Sequence, residues 1–174
     1  MRRLYSPETV CCDNWQAALN AWKSLFPHIT IIMCFLHRVL KIMKRGKKMG
    51  LELSEALDRA WNTYHAETKM QFRQRLRRFR EWASENLEGG TFRDAILRLC
   101  DHGPALAKAY DHPGCARTSA GLDRLMDHQD RWLYQMRYFH GSATRANQVA
   151  RAHALIWNFH PYNSRLKSPR INQI

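Results

Sequence analysis

The stretch Thr9-Val10-Cys11-Cys12-Asp13-Asn14-Trp15, then Phe26-Pro27, then Ile29-Thr30-Ile31-Ile32-Met33-Cys34-Phe35-Leu36-His37, decides the fold. Residues 7–13 are predicted to form a strand ending in an acid. Asn14 to Leu25 carries Trp15, Ala18, Leu19, Trp22 and Leu25 at helical spacing, with Asp13 or Asn14 as a fitting N-cap. Pro27 closes the turn, and Ile29–Met33 is β-branched and nearly all apolar, as a strand buried on both faces would be. A helix from Phe35 to Arg45 follows, and Gly46 stops it. Strand, helix, strand, helix is the order of a parallel α/β sheet. An acid at the carboxyl end of such a strand stands at the sheet edge, where ligands and metals bind.

Past Gly50 the pattern becomes helical throughout. Residues 51–66 place Leu53, Ala56, Leu57, Ala60, Trp61 and Tyr64 on one stripe, and residues 67–87 do the same with Met70, Phe72, Leu76, Phe79, Ala83 and Leu87. Gly89-Gly90 breaks the pattern, and Phe92, Ile96, Leu97 and Leu99 predict a short helix. Asp101-His102-Gly103-Pro104 and His112-Pro113-Gly114 read as turns. Helices are predicted over 122–139 and 143–159, and a loose basic tail over 161–174. Two short strands alone make a poor sheet, so the arrangement looks truncated.

The chain has 174 residues, enough for one domain with a real core. Its 45% hydrophobic content excludes disorder for most of its length. The formal net charge of +13 favours a polyanionic partner, of which a nucleic acid backbone is the commonest. No stretch is apolar enough for a membrane span, and no signal peptide is visible after Met1-Arg2-Arg3. Five cysteines at irregular spacing suit free thiols in a reducing compartment better than a disulfide frame.

Asp13 and Asp123 are the candidate metal-holding carboxylates. Phosphodiester enzymes clamp the attacking and leaving oxygens with paired divalent ions, and Mg2+ suits oxygen ligands. Asp13 reads equally as a helix N-cap, and Asp123 as a first-turn acid complementing a helix dipole. Cys34 and His37 offer half of a zinc site, but no second pair stands at finger-like spacing. A buried thiol beside a histidine that fixes local geometry is the plainer reading. The basic runs hold Arg38, Lys41, Lys44 and Arg45, then Arg73, Arg77 and Arg80 among further cations. Acids are scarce within each run, so a phosphate-binding face weighs about evenly against a solvated one.

At these residues the chain resembles a transposase of the RNase H-like acid-triad group (DDE or DDD), carried by bacterial insertion sequences and Mutator-type elements. Three segments carry the resemblance: the strand ending in Asp13 with its helix and Phe26-Pro27, Cys34-x-x-His37 after the next strand, and Thr118-Ser119-Ala120-Gly121-Leu122-Asp123-Arg124. Ile156-Trp157-Asn158-Phe159 with Tyr162 also looks like the end of such domains. The resemblance implies an α/β, mostly helical chain. It would be a partial RNase H-like fold that retains two short parallel strands and carries a large all-α insertion. Residues 1–50 would be a remnant of the catalytic core, 51–116 the insertion, 117–160 the closing helices of the core and 161–174 a basic tail.

By the same resemblance Asp13 would be the second triad acid, and Asp123 would stand where the family usually has glutamate. Both would hold Mg2+ or Mn2+, with Cys34 and His37 in support. Arg38, Lys41, Lys44, Arg45, Arg73, Arg77, Arg80 and Arg124 would contact DNA. The parent would cut DNA and join its 3′ hydroxyl to target DNA, inside an oligomeric complex at the bacterial nucleoid. Only Met1 to Glu8 precedes the matching strand, so the resemblance implies a carboxyl-terminal piece, inactive alone. The alternative is a non-catalytic basic helical module that binds nucleic acid.

Overall fold

The computed structural model describes residues 6–137 and 141–159, so the tail over 161–174 and Tyr162 lie outside the described residues. Two compact units divide the chain, Met1–Ala120 and Gly121–Ile174. The described chain is mostly helical, with one pair of short strands. The first unit opens with β1 (Thr9–Cys12), α1 (Gln16–Leu25), β2 (Thr30–Met33) and α2 (Phe35–Arg45). β1 and β2 pair in parallel with Thr9 opposite Thr30 and Cys12 opposite Met33. The ladder runs on at both ends, since Thr30 N–H donates to Glu8 O and Cys34 N–H to Cys12 O, each at 2.9 Å. The strands are shorter than the sequence predicts because each has a single hydrogen-bonded neighbour among the described residues.

Asp13 does not cap α1. Its Oδ1 accepts from Trp15 N–H at 3.3 Å, and Trp15 holds the cap position without a side-chain bond. The apolar stripe of α1 is also less covered than its spacing predicts. No residue of the helix is buried, and Trp15 and Leu25 are 66% and 71% exposed.

The core lies instead among α2, α3 (Leu51–Tyr64), α4 (Lys69–Asn86) and α5 (Thr91–Asp101). Phe35, Val39 and Ile42 of α2 meet Ala56 and Ala60 of α3, and Phe72, Leu76 and Phe79 of α4 meet Ile96 and Leu99 of α5 in one buried cluster. These are the helical stripes of the sequence, with two exceptions: Met70 is exposed, and Leu97 is half-buried outside the cluster. Thr68 caps α4 by accepting from Gln71 N–H at 3.1 Å, as a threonine before a helix should. Gly46, which ends α2, lets the Phe92 ring pack against the helix end. A Cβ there would sit 2.5 Å from that ring.

The Gly103-Pro104 turn of the sequence is in fact a short helix, α6 (Gly103–Ala107), running into a 3-10 turn at Lys108–Asp111. Proline suits the first turn of a helix, where its missing N–H has no partner to lose. The second unit holds most of α7 (Ala120–Gln135) and α8 (Ala143–Phe159). Among its described residues the buried polar one is His153, tilted against Trp132 at 4.8 Å and stacked on His128 at 5.4 Å between ring centres. Among the described residues no helix is long and apolar enough to cross a membrane.

Candidate functional site

The carboxyl end of β2 carries Cys34 as the N-cap of α2, with His37 in the first turn of that helix. Cys34 has no exposed surface, and Cys11 and Cys12 on β1 are half-buried. The segment after Cys115 returns to this corner. Phe35 N–H, an orphan donor at the start of α2, donates to Arg117 O at 3.0 Å. Ser119 N–H donates to Cys34 Sγ at 3.2 Å, and its hydroxyl lies 3.4 Å from the same sulfur. Ser119 Oγ is also 3.4 Å from His37 Nδ1. The two short motifs of the sequence, 85 residues apart, therefore meet at one corner of the sheet.

The electrostatics follow from those donors. The neighbouring Cys34 first, and then burial, hold the Cys11 thiol above the ordinary thiol range. Cys34 is held well below the range. The neighbouring Cys11 contributes most, burial opposes it, and bonds from Ser119 and His37 add to it. The N-terminal end of α2 favours negative charge at the same place. A sulfur with no exposed surface meets no substrate unless the corner opens. Its evident work is to join the strand, the helix and the returning segment.

Arg117 fastens that segment. Its guanidinium donates to Tyr64 O and, at 3.5 Å, to Ala66 O, at the carboxyl end of α3, and to Tyr110 Oη at 2.6 Å. It also lies 4.4 Å over the Tyr64 ring and 5.1 Å over the Tyr110 ring. Carbonyls at a helix end lack helical partners, and a cation there complements the dipole. Spacing along the chain gave no sign of this clamp, because its partners lie 7, 51 and 53 residues away.

Asp13 is half-exposed at the end of β1, in the first unit, and Asp123 is exposed in the first turn of α7, in the second. Among the described residues no three or more His, Cys, Asp or Glu side chains gather as a metal site. Both acids offer the hard oxygen that magnesium takes.

The basic residues divide by partner. Lys41, Lys44 and Arg45 are exposed on α2, while Arg38 is half-buried and burial pulls its guanidinium pKa down. Arg124 is exposed on α7. On α4, Lys69 pairs with Asp111 and Arg80 with Asp101, both at 2.5 Å, and Arg77 with Glu81 at 3.4 Å. Arg75 donates to Asn62 O of α3 at 2.6 Å. Arg73, Arg77 and Arg80 line a cleft of about 340 Å³ among α4, α5 and α6, together with Leu76, Cys100, Gly103 and Pro104. Sequence spacing placed these arginines on one face, but it could not locate the acids that hold some of them. Compared with known proteins, the chain matches no family model, no curated protein and no solved structure.

Proposed function

We propose that this chain is the later part of an RNase H-like acid-triad transposase core, supplying the second and third acids, Asp13 and Asp123. The observation that most supports this reading is the joining of the Cys34-x-x-His37 corner to Ser119, which brings together two motifs that the sequence links only by resemblance. Two parallel strands with Asp13 just past the end of the first add to it. In this reading Cys34 and His37 set the shape of the corner and leave the chemistry to the acids. Magnesium or manganese, when held by the acids, would supply charge stabilisation for cutting a phosphodiester and joining the freed 3′ hydroxyl. DNA is the substrate, and a second copy of the chain belongs to the assembled complex.

The test is thermal unfolding of the full chain with and without magnesium. Binding to the folded state alone adds about 2.7 kcal/mol at a hundredfold excess over Kd. Asp13→Asn keeps an acceptor for Trp15 N–H while removing the charge, so it isolates metal holding from the local turn. The gain should vanish in Asp13→Asn and in Asp123→Asn alike. A gain that survives both substitutions, or no gain in the native chain, defeats the reading. The cleft on α4 favours a second reading, a basic helical module that binds nucleic acid without catalysis. That module would show no magnesium gain and would bind DNA in a salt-dependent way.

A further inference from the structure

We infer that the cleft among α4, α5 and α6 seats a backbone phosphate of a DNA strand, contacted by Arg73 and Arg77, with Arg80 held in reserve by Asp101. The inference rests on the nucleic-acid reading, which both functional alternatives share. Arg73, Arg77 and Arg80 stand at helix positions i, i+4 and i+7, so they share one stripe of α4. Like charges so placed repel, and an isolated helix loses a few tenths of a kcal/mol per such pair. Three acids stand near this stripe: Glu81 pairs with Arg77, Asp101 with Arg80, and Asp111, held by Lys69, also feels the charge of Arg73. Arg73 makes no direct ion pair among the described residues, and the lining of the concavity is three arginines without an acid.

The lining suits a strand backbone. Leu76, Cys100 and Pro104 in the lining do not compete for the phosphate, and a low-dielectric wall concentrates the field of the arginines beside it. Guanidinium is weakly hydrated and forks onto phosphate oxygens. The other cations of the run are committed elsewhere, Lys69 to Asp111 and Arg75 to the Asn62 carbonyl. Arg78 is exposed and lies outside the cleft lining.

The test is fluorescence anisotropy of the full chain with a labelled duplex of about 20 base pairs across a fourfold salt range, where each phosphate contact contributes a slope of about 0.9. Arg73→Gln and Arg77→Gln together should lower the slope by about 0.9, equivalent to about 3.5-fold less affinity lost over that range, and each alone by part of that. Arg78→Gln removes the same formal charge and should leave the slope unchanged. Asp101→Asn, which frees Arg80, should tighten binding. Circular dichroism checks that each variant is folded. Equal losses in all three arginine variants would mean a diffuse field and overturn the cleft, as would an unchanged slope in both Arg73→Gln and Arg77→Gln. Absence of binding by the native chain overturns the nucleic-acid reading as well. The magnesium experiment is blind to all of these outcomes, so the two failures are separable.

Discussion

Replacing Arg117 with methionine isolates the guanidinium while keeping most of the side-chain bulk. The native group makes a bond to the Tyr64 carbonyl and one to Tyr110 Oη at 2.6 Å, and it lies over both rings. A hydrogen bond to a charged group contributes about 1.5–3 kcal/mol, and a partly exposed cation–π contact about 0.5–1 kcal/mol. Arg117 is half-buried, so the lower ends apply, about 4 kcal/mol in sum, and water recovers about 1 kcal/mol of that. The expected loss is about 3 kcal/mol, which for a unit of this size lowers Tm by about 10 °C. Arg117→Lys keeps the charge but loses the fork, and should restore less than half of the loss.

A second measurement tests whether the clamp holds the corner or merely adds stability. Arg117 lies two residues before Ser119, whose amide bonds Cys34. If opening of that corner exposes Cys34, its alkylation rate in the folded protein follows the opening free energy. A loss of 3 kcal/mol then speeds it about 100-fold, since each 1.4 kcal/mol is a factor of ten. Peptide mass spectrometry identifies the labelled thiol. An unchanged Tm in Arg117→Met would refute the clamp. A lowered Tm with unchanged Cys34 labelling would refute its link to the corner.

Gly46→Ala should destabilise the first unit by about 1–3 kcal/mol, because the new methyl would sit 2.5 Å from the Phe92 ring and 2.8 Å from Leu53; a raised denaturant midpoint, the usual result where glycine has room, would contradict the packing. Cys34 should show thiolate ultraviolet absorbance below the ordinary thiol pH range, absent in Cys34→Ser, because Cys11, Ser119 and His37 stabilise the anion. A lowered pKa contributes stability that is complete above the unfolded thiol value and is lost as pH falls through the folded one. The urea midpoint of the native chain should therefore rise with pH across that window more steeply than that of Cys34→Ser. Cys11, whose pKa is raised, opposes any gain above the window. Parallel pH profiles for the two proteins would show that the sulfur stays protonated.

The strand–helix–strand–helix order was legible because each part has its own period. The β-branched run over Ile29–Met33 and the stripe Phe72, Leu76, Phe79 each admit one secondary structure. The end of Phe35–Arg45 was legible, since Gly46 marks a stop. Other features lack such a signal. Gly103-Pro104 carries the marks of a turn, yet the same pair starts α6. Trp15, Leu25 and Met70 keep helical spacing but meet too little surface to be buried. The corner was half legible. Cys34-x-x-His37 and Thr118–Asp123 stood out as segments, but that Ser119 would be the residue to touch Cys34 depends on contacts across 85 residues, which leave no period in the chain. The same limit hid the acids Asp101 and Asp111, which lie 21 and 42 residues from the cations they hold.

The distance between Cys34 and Ser119 also sets a timetable for synthesis. A ribosome adds about 5–20 residues each second, so the 85 residues between them take about 4–17 s to emerge. During that interval the chain through Cys34 has been made, while the amide that will bond the sulfur has not. The nascent polypeptide thus carries an uncovered thiol for several seconds, and translation speed governs how long it stays open to oxidation.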